Sequence, residues 1–195
     1  MGRRMWMAVV ILAAGGAMGA DRYQIDPFHT TVGFSIRRLV INNVKGVFKD
    51  FSGTVEYDGQ DPATLRVDGS IRAASVDTGI ADRDQHLRNA DFLDVEQHPE
   101  ITFSTKRVEV RDGKAFLVGP FTMHGVTREI ELPVAISGPI TDPMGKVRIG
   151  LEAGLALNRQ DYGIRWSKVL DNGGLAVGDE VKVEINAEAV RQAAD

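Results

Sequence analysis

Alternation of apolar and polar residues is the feature that most restricts how this chain can fold. The segment "FSGTVEYD" places Phe51, Gly53, Val55 and Tyr57 on one side and polar side chains between them. The segments "VGFSI", "LRVDGSIRA" and "EVKVEINAEAV" repeat this period of two. Successive side chains of a strand point to opposite faces, so the pattern predicts antiparallel strands with one dry and one solvated face.

Strand number and length favour a sandwich or a closed barrel. We count eight or nine strands, without a linker or an internal repeat, and the dipeptides Asp112-Gly113 and His124-Gly125 predict tight turns. Ten residues at ~3.3 Å each, tilted by ~40°, give a barrel roughly 25 Å tall. Small residues at inward positions, such as Gly69, leave room for a ligand, although glycines at bends of a packed core are equally consistent.

The first twenty residues, "MGRRMWMAVVILAAGGAMGA", have the layout of a secretory signal peptide. Arg3 and Arg4 precede an uncharged run that ends in small residues. This run, residues 5–20, is shorter than the ~20 apolar residues that a membrane-spanning helix needs. We therefore expect residues 1–20 to be removed on export, and residues 21–195 to form a single domain outside the cytoplasm.

The composition of the exported part excludes several functions. Without Arg3 and Arg4 it has 21 basic and 27 acidic side chains, and no basic face that would attract nucleic acid or an anionic membrane. The chain has no cysteine, so disulfides, a thiol nucleophile and a thiolate zinc site are excluded. The barrel must therefore be stabilised by its core.

The polar segment "TGIADRDQHLRNADFLD" interrupts the strand pattern. Asp82 and Gln85 have the spacing of a capping box, which predicts a short helix over residues 82–89. Ile80, Leu87, Phe92 and Leu93 would then pack the helix against the barrel, with the charges of the helix outward. The polarity of the segment therefore has a structural explanation.

Catalytic or metal chemistry has little support in the sequence. His86 beside Asp84 would suit an acid–base pair, but the chain has no G-x-S-x-G motif and no H-x-x-x-H spacing. Asp26 and His29 form an isolated D-x-x-H, and the four histidines are scattered along the chain. We therefore expect no catalytic residue, no metal site and no cofactor.

Four segments resemble the successive motifs of the YceI-like family of exported bacterial proteins: "YQIDPFHTTVGFSIRRLVINNVKGVFKDFSG", "SVDTGIADRDQHLRNADFLDVEQHPEITFST", "VGPFTMHGVTREIEL" and "LNRQDYGI". Together they span nearly all of the exported chain. The resemblance implies an all-β fold, an eight-stranded antiparallel lipocalin-like barrel with a short helix capping the mouth. It also implies an elongated interior that holds a polyisoprenoid of quinone or prenyl-pyrophosphate type. Arg38 departs from the family, because a histidine is common at that position.

The candidate site residues follow from alternation and motif position together. A shift of one residue in register would turn part of the set outward. Ten residues are predicted to line the interior and bind the ligand: Phe34, Ile36, Val55, Ile71, Phe92, Phe103, Met123, Ile130, Leu155 and Val183. Five are candidates for the rim that meets the head group: His29, Arg38, Arg83, His86 and Arg165.

The predicted function is an exported carrier that binds an isoprenoid lipid and is not an enzyme. One alternative is a small exported enzyme acting on such a lipid, with His29 or His86 as its acid–base group. The other is an interaction or stress module with a solid barrel. The lipid is the expected ligand and nucleic acid is not a partner. A homodimer, and a membrane protein that transiently donates or accepts the lipid, are both compatible with the sequence.

Overall fold

The computed structural model describes residues 19–193 except 170 and 172–174. The predicted signal peptide, residues 1–20, lies outside the described residues apart from its last two. No helix in the described ranges is long and apolar enough to cross a membrane.

Twelve strands and one α-helix are present in the described part of the chain. The strands are β1 (Asp21–Ile25), β2 (Thr31–Arg38), β3 (Asn42–Phe48), β4 (Phe51–Tyr57), β5 (Arg66–Arg72), β6 (Val76–Asp77), β7 (Glu100–Ser104), β8 (Arg107–Arg111), β9 (Lys114–Met123), β10 (Val126–Thr141), β11 (Val147–Asn158) and β12 (Val177–Arg191). The helix is α1 (Ala81–Arg88), and short 3-10 helices span Pro27–His29, Pro62–Thr64, Ala73–Ser75 and Arg159–Tyr162.

Eight of these strands close a barrel. Their order is β1-β4-β5-β7-β9-β10-β11-β12, and β12 pairs back with β1. Every pairing is antiparallel, so the predicted eight-stranded barrel is confirmed. The four further strands explain why the strand count exceeds the prediction. β1 and β2 both pair with β12 on either side of a 3-10 turn, β3 and β6 extend the sheet from β2, and β8 pairs with β9 outside the barrel order.

The two predicted turns have the backbone that two-residue hairpins require. Asp112 and Gly113 have φ of 51° and 74°, and His124 and Gly125 have 51° and 70°. A positive φ at both central residues defines the type I′ turn, whose twist matches that of the flanking strands. The β8–β9 and β9–β10 hairpins are therefore fixed by local sequence.

The barrel interior is packed with side chains at one end only. Tyr23, Val55, Leu117 and Ile149 belong to a buried cluster there, each no more than 1 % exposed. On β12 this cluster reaches Ala189, close to the end of the strand. We call this the closed end of the barrel, and the end at which β12 begins the mouth.

Charged groups tie the chain together at the closed end. Arg148 on β11 donates to Asp26 (2.8 Å), Asp142 (2.7 Å) and Glu188 (3.2 Å), and His29 Nδ1 lies 3.0 Å from Asp26 Oδ2. The Arg148 hydrogen bond, followed by that of His29, lowers the pKa of Asp26 from 3.8 to about 2. The cluster links the turn between β1 and β2 to β11 and β12.

This shift predicts an acid-dependent loss of stability that requires Arg148. Because the pKa of Asp26 is depressed in the folded state, its contribution is present above pH ~4 and is lost as the pH falls towards 2. In Arg148→Met we expect the free energy of unfolding, measured in urea, to fall less steeply between pH 4 and 2 than in the wild type. Arg66→Met is the control, because Arg66 donates to backbone carbonyls. Parallel profiles for Arg148→Met and the wild type would contradict the prediction.

Candidate functional site: an apolar cavity

A cavity of about 850 Å³ fills the barrel between the mouth and the packed cluster. Val181, Val183, Ile185 and Ala187 alternate along its wall on β12, which corresponds to ~20 Å of strand. The wall is mainly aliphatic and aromatic, and the volume lies in the upper part of the range of ligand pockets, ~300–1,000 Å³. The interior therefore has room for a long apolar ligand.

The structure places nine of the ten predicted interior residues in the cavity wall: Phe34, Ile36, Ile71, Phe92, Phe103, Met123, Ile130, Leu155 and Val183. Val55 is the exception. It faces inward as predicted, but it is fully buried in the packed cluster opposite Tyr23. Alternation identifies the face of a strand and not the height along the barrel, which explains the error. Contact of the nine residues with a ligand stays a prediction.

Two paired glycines in the wall have different structural reasons. A Cβ on Gly53 would lie 2.9 Å from the carbonyl oxygen of Asp68, so the close approach of two backbones requires glycine there. A Cβ on Gly69 would have only the Ser52 carbonyl oxygen within 4 Å, at 3.8 Å. Gly69 therefore leaves space in the cavity, and a larger side chain would occupy it.

Helix α1 and the turns after it form a cap over the cavity. Ile80, Leu87, Phe92 and Leu93 lie in the wall, so this segment closes the barrel with its apolar side chains. The helix begins one residue before the predicted range, but the predicted capping box is absent. The N-cap residue is Ile80, and no side chain bonds to the N-terminal turn.

The charges of the cap hold it in place instead of all facing solvent as predicted. Asp84 is 6 % exposed and accepts hydrogen bonds from the backbone N (2.9 Å) and the hydroxyl of Thr78. Arg83 donates to the hydroxyl (2.7 Å) and carbonyl (2.8 Å) of Thr78, and Arg88 donates to the carbonyls of Ala74 and Val76. These side chains satisfy backbone groups beside the short strand β6.

Removal of the Asp84 carboxylate is expected to loosen the cap. Asp84→Ala leaves the partly buried N–H and hydroxyl of Thr78 without their acceptor, which costs about 1 kcal/mol of unfolding free energy. Amides of residues 78–93 should then exchange hydrogen faster than in the wild type, as measured by mass spectrometry. Asp82→Ala changes an exposed carboxylate of the same helix and should leave both quantities within error. Equal effects of the two substitutions would contradict this role of Asp84.

Three of the five predicted rim residues line the cavity: Arg38, Arg83 and His86. The Nε2 atom of His86 lies 2.9 Å from Asp91 Oδ2, so its acidic partner is Asp91 and not the predicted Asp84. Its ring forms T-shaped contacts with the rings of Phe92 (4.9 Å between centroids) and Trp166 (5.1 Å). The mouth thus combines two arginines with an aromatic cluster.

The other two predicted rim residues lie elsewhere. His29 is at the closed end, where it contacts Asp26. Arg165 is exposed, because Ile164 and Trp166 on either side of it face the cavity. The sequence shows Trp166 as a large aromatic residue in an irregular loop. Its orientation towards the cavity could not be predicted, because it follows from the burial of Ile164 two residues earlier.

Arg159 fixes this loop against β12. It is 2 % exposed and donates to the carbonyls of Ile164 (2.7 Å) and Gly178 (2.8 Å) and to Asp179 Oδ1 (3.0 Å). Burial lowers the pKa of its guanidinium, whereas Asp179 acts in the opposite direction. Its Nε and both of its terminal nitrogens donate within the protein, so the arrangement indicates a structural rather than a ligand-binding role.

Comparison with known proteins gives consistent matches over most of the chain. Protein YceI of Escherichia coli O157:H7 is 36% identical over 187 residues, which cover 95% of this chain and 94% of that protein. A YceI protein of Campylobacter jejuni has a crystal structure that matches with a TM-score of 0.66 and 31% identity, over 80% of this chain and 90% of that one.

A more distant structure shares the fold. A polyisoprenoid-binding domain from Saccharophagus degradans matches with a TM-score of 0.67 and 16% identity, over 87% of this chain and 98% of that one. A sequence model of the YceI-like domain matches residues 23–189.

Proposed function

The chain belongs to the YceI-like family, and from that premise we propose that it is a carrier protein for an amphiphilic polyisoprenoid lipid. The observation that carries the proposal is the apolar cavity, about 850 Å³, between a packed closed end and a polar mouth. A matching fold in a domain described as polyisoprenoid-binding supports the same choice of ligand.

The apolar tail belongs in the cavity for a simple energetic reason. Each CH2 group removed from water contributes about 0.8 kcal/mol, and a chain of isoprene units carries many such groups. Apolar cavities of proteins are poorly hydrated, so the tail would displace little bound water. Tail length and cavity depth would then determine which lipids fit.

The head group belongs at the mouth. Arg38 and Arg83 lie in the wall there. Arg83 already donates through Nε and Nη2 to Thr78, whereas the Arg38 side chain forms no hydrogen bond or ion pair among the described residues, so Arg38 is the better candidate. Arginine binds phosphate with two parallel hydrogen bonds, which suits a prenyl pyrophosphate. Phe92 and Trp166 offer aromatic faces, which suit the ring of a quinone.

Export forms part of the proposal. Residues 1–20 have the layout of a secretory signal peptide, and the barrel begins at Asp21, where β1 starts. We therefore place the carrier in the periplasm, where a lipid that moves between membranes would need a shielded path. Fractionation of the host cell, with N-terminal sequencing of the exported protein, tests this part.

The experiment that tests the function is extraction of the native protein. The protein is purified from the periplasm of its own host without detergent, and the solvent extract is analysed by mass spectrometry. One isoprenoid lipid per chain is the expected result. An empty extract, followed by failure of the protein to bind ubiquinone or a polyprenyl pyrophosphate in vitro, would overturn the proposal.

One observation favours the second candidate, an enzyme that acts on an isoprenoid lipid. The His86–Asp91 pair lies at the cavity wall, in the arrangement of an acid–base histidine oriented by a carboxylate. Incubation with the extracted lipid and mass analysis distinguishes the two functions. A carrier returns the lipid unchanged, whereas an enzyme yields a product that disappears in His86→Ala. A solid-barrel interaction module fits poorly with a cavity of this volume.

A further inference from the structure

We infer that Asp94, His98 and His124 form a binding site for a divalent transition metal, of which Zn²⁺ is the representative probe. The three side chains are half-buried, and one potential ligand atom from each lies within 4.8 Å of the other two. The rings of His98 and His124 lie 4.8 Å apart between centroids. The four histidines are far apart in the sequence, but the fold brings His98 and His124 together.

Local backbone geometry places the three residues. Asp94 and His98 are four residues apart in a tight turn, in which the N–H of His98 donates to the carbonyl of Asp94 (2.8 Å). His124 occupies the tip of the β9–β10 hairpin with a φ of 51°. The ring of His98 packs against Gly125, where a Cβ would lie only 2.6 Å from His98 Cε1. Gly125 is therefore needed for the approach of the two histidines.

The hydrogen bond of His124 orients it as a ligand. Its Nδ1 lies 3.0 Å from the carbonyl oxygen of Tyr162. A carbonyl oxygen only accepts, so Nδ1 carries the proton, and the lone pair of the neutral ring is on Nε2. Metal-binding histidines typically donate their second N–H to a carbonyl or carboxylate in this way.

The charge of Asp94 is available to a cation. Among the residues that the structure describes, its carboxylate takes part in no hydrogen bond or ion pair. Among the described residues, one other cluster could hold a metal ion: Asp26, His29 and Glu188. Its carboxylates already form ion pairs. Arg148 already binds both of its carboxylates, so a metal ion there would compete with a fixed positive charge.

The donor set indicates the class of metal. Imidazole nitrogens suit zinc, nickel and copper, whereas calcium and magnesium prefer oxygen ligands. Tetrahedral ligands at ~2.1 Å from zinc are about 3.4 Å apart, so ligand atoms within 4.8 Å need only small rotations to close on the ion. Three protein ligands would leave at least one coordination position for water.

The position of the site relates it to the cap. Asp94 follows Phe92 and Leu93, and His124 follows Met123, and all three of these apolar residues lie in the cavity wall. A bound metal would therefore link the C-terminal part of the cap to the β9–β10 hairpin. This inference is independent of the identity of the lipid.

Calorimetric titration with ZnCl2 tests the site. The exported, untagged protein is stripped with a chelator and titrated in a non-coordinating buffer, and we expect one Zn²⁺ per chain at micromolar or lower Kd. Asp94→Asn and His124→Asn should each weaken binding at least tenfold, because asparagine tolerates the positive φ of both positions and is a poorer ligand. His29→Ala, in the competing group, should bind as the wild type does.

Hydrogen exchange provides a second readout that needs no variant. Zn²⁺ should slow amide exchange in residues 89–98 and 122–127 of the wild type and raise its melting temperature, because a ligand of the folded state stabilises it. The inference is overturned by absence of binding at 100-fold excess of zinc, by wild-type affinity in Asp94→Asn, or by loss of binding in His29→Ala. If a variant fails to fold, the exchange pattern of the wild type decides.

Discussion

Gly69→Trp is expected to lower the affinity for the lipid more than tenfold while the barrel remains folded. Gly69 lies in the middle of β5 and in the cavity wall, opposite Gly53 and Phe103 in the neighbouring strands. A Cβ at this position meets no atom closer than 3.8 Å, so an indole would extend into the cavity and not into the packed cluster. Tryptophan also suits a strand better than glycine does.

The measurement is binding of a polyprenyl lipid, with thermal unfolding as the check on the fold. We expect affinity to fall more than tenfold and the melting temperature to change by a few degrees at most. Gly150→Trp is the matched control, because Gly150 lies between the buried Ile149 and Leu151 of β11 and faces outward, with Ser137 Cβ 3.7 Å from its own Cβ position. Unchanged binding in Gly69→Trp would show that the lipid does not occupy the barrel.

Arg159→Ala is expected to cause the largest loss of stability among single substitutions near the mouth. It leaves Asp179 and the carbonyls of Ile164 and Gly178 without their buried donor. Removal of one partner from a buried ion pair typically costs 3–5 kcal/mol, and we use the lower figure because Asp179 is partly exposed. About 3 kcal/mol lowers the melting temperature of a domain of this size by roughly 6–12 °C.

Calorimetric unfolding of two further variants separates the contribution of the Arg159 charge from that of its planar guanidinium geometry. Arg159→Lys keeps the charge but loses the planar fork, so it should fall between the wild type and the alanine variant. Arg165→Ala changes an exposed neighbour and should unfold as the wild type does. If Arg159→Ala and Arg165→Ala unfold at the same temperature, the network around Arg159 contributes nothing to stability.

The fold could be predicted from the sequence because its determinants are local. The period of two in "FSGTVEYD" and similar segments identifies strands, and Asp112-Gly113 and His124-Gly125 specify type I′ turns. The identification of the family rests on four motifs that cover most of the exported chain. These signals require no knowledge of which strands meet across the barrel.

The site was predicted less completely because its remaining features are not local. Alternation and motif position predict Val55 in the cavity and His29 at its rim, but both lie at the closed end, because alternation gives no position along the barrel axis. The charge of Asp84 was expected in solvent, whereas it binds Thr78 across the turn before the helix. His98 and His124 meet only because a turn and a hairpin tip pack together.

The barrel interior is divided into a packed closed end, which stabilises the fold, and an open end, which contains the cavity. Tyr23, Leu117 and Ile149 pack in the closed end, so we expect the barrel to fold without a ligand in the cavity. An empty and a filled molecule can then share one backbone and differ mainly at the cap. If the protein carries a lipid as proposed, loading and release would therefore require motion of only the cap and no unfolding of the barrel.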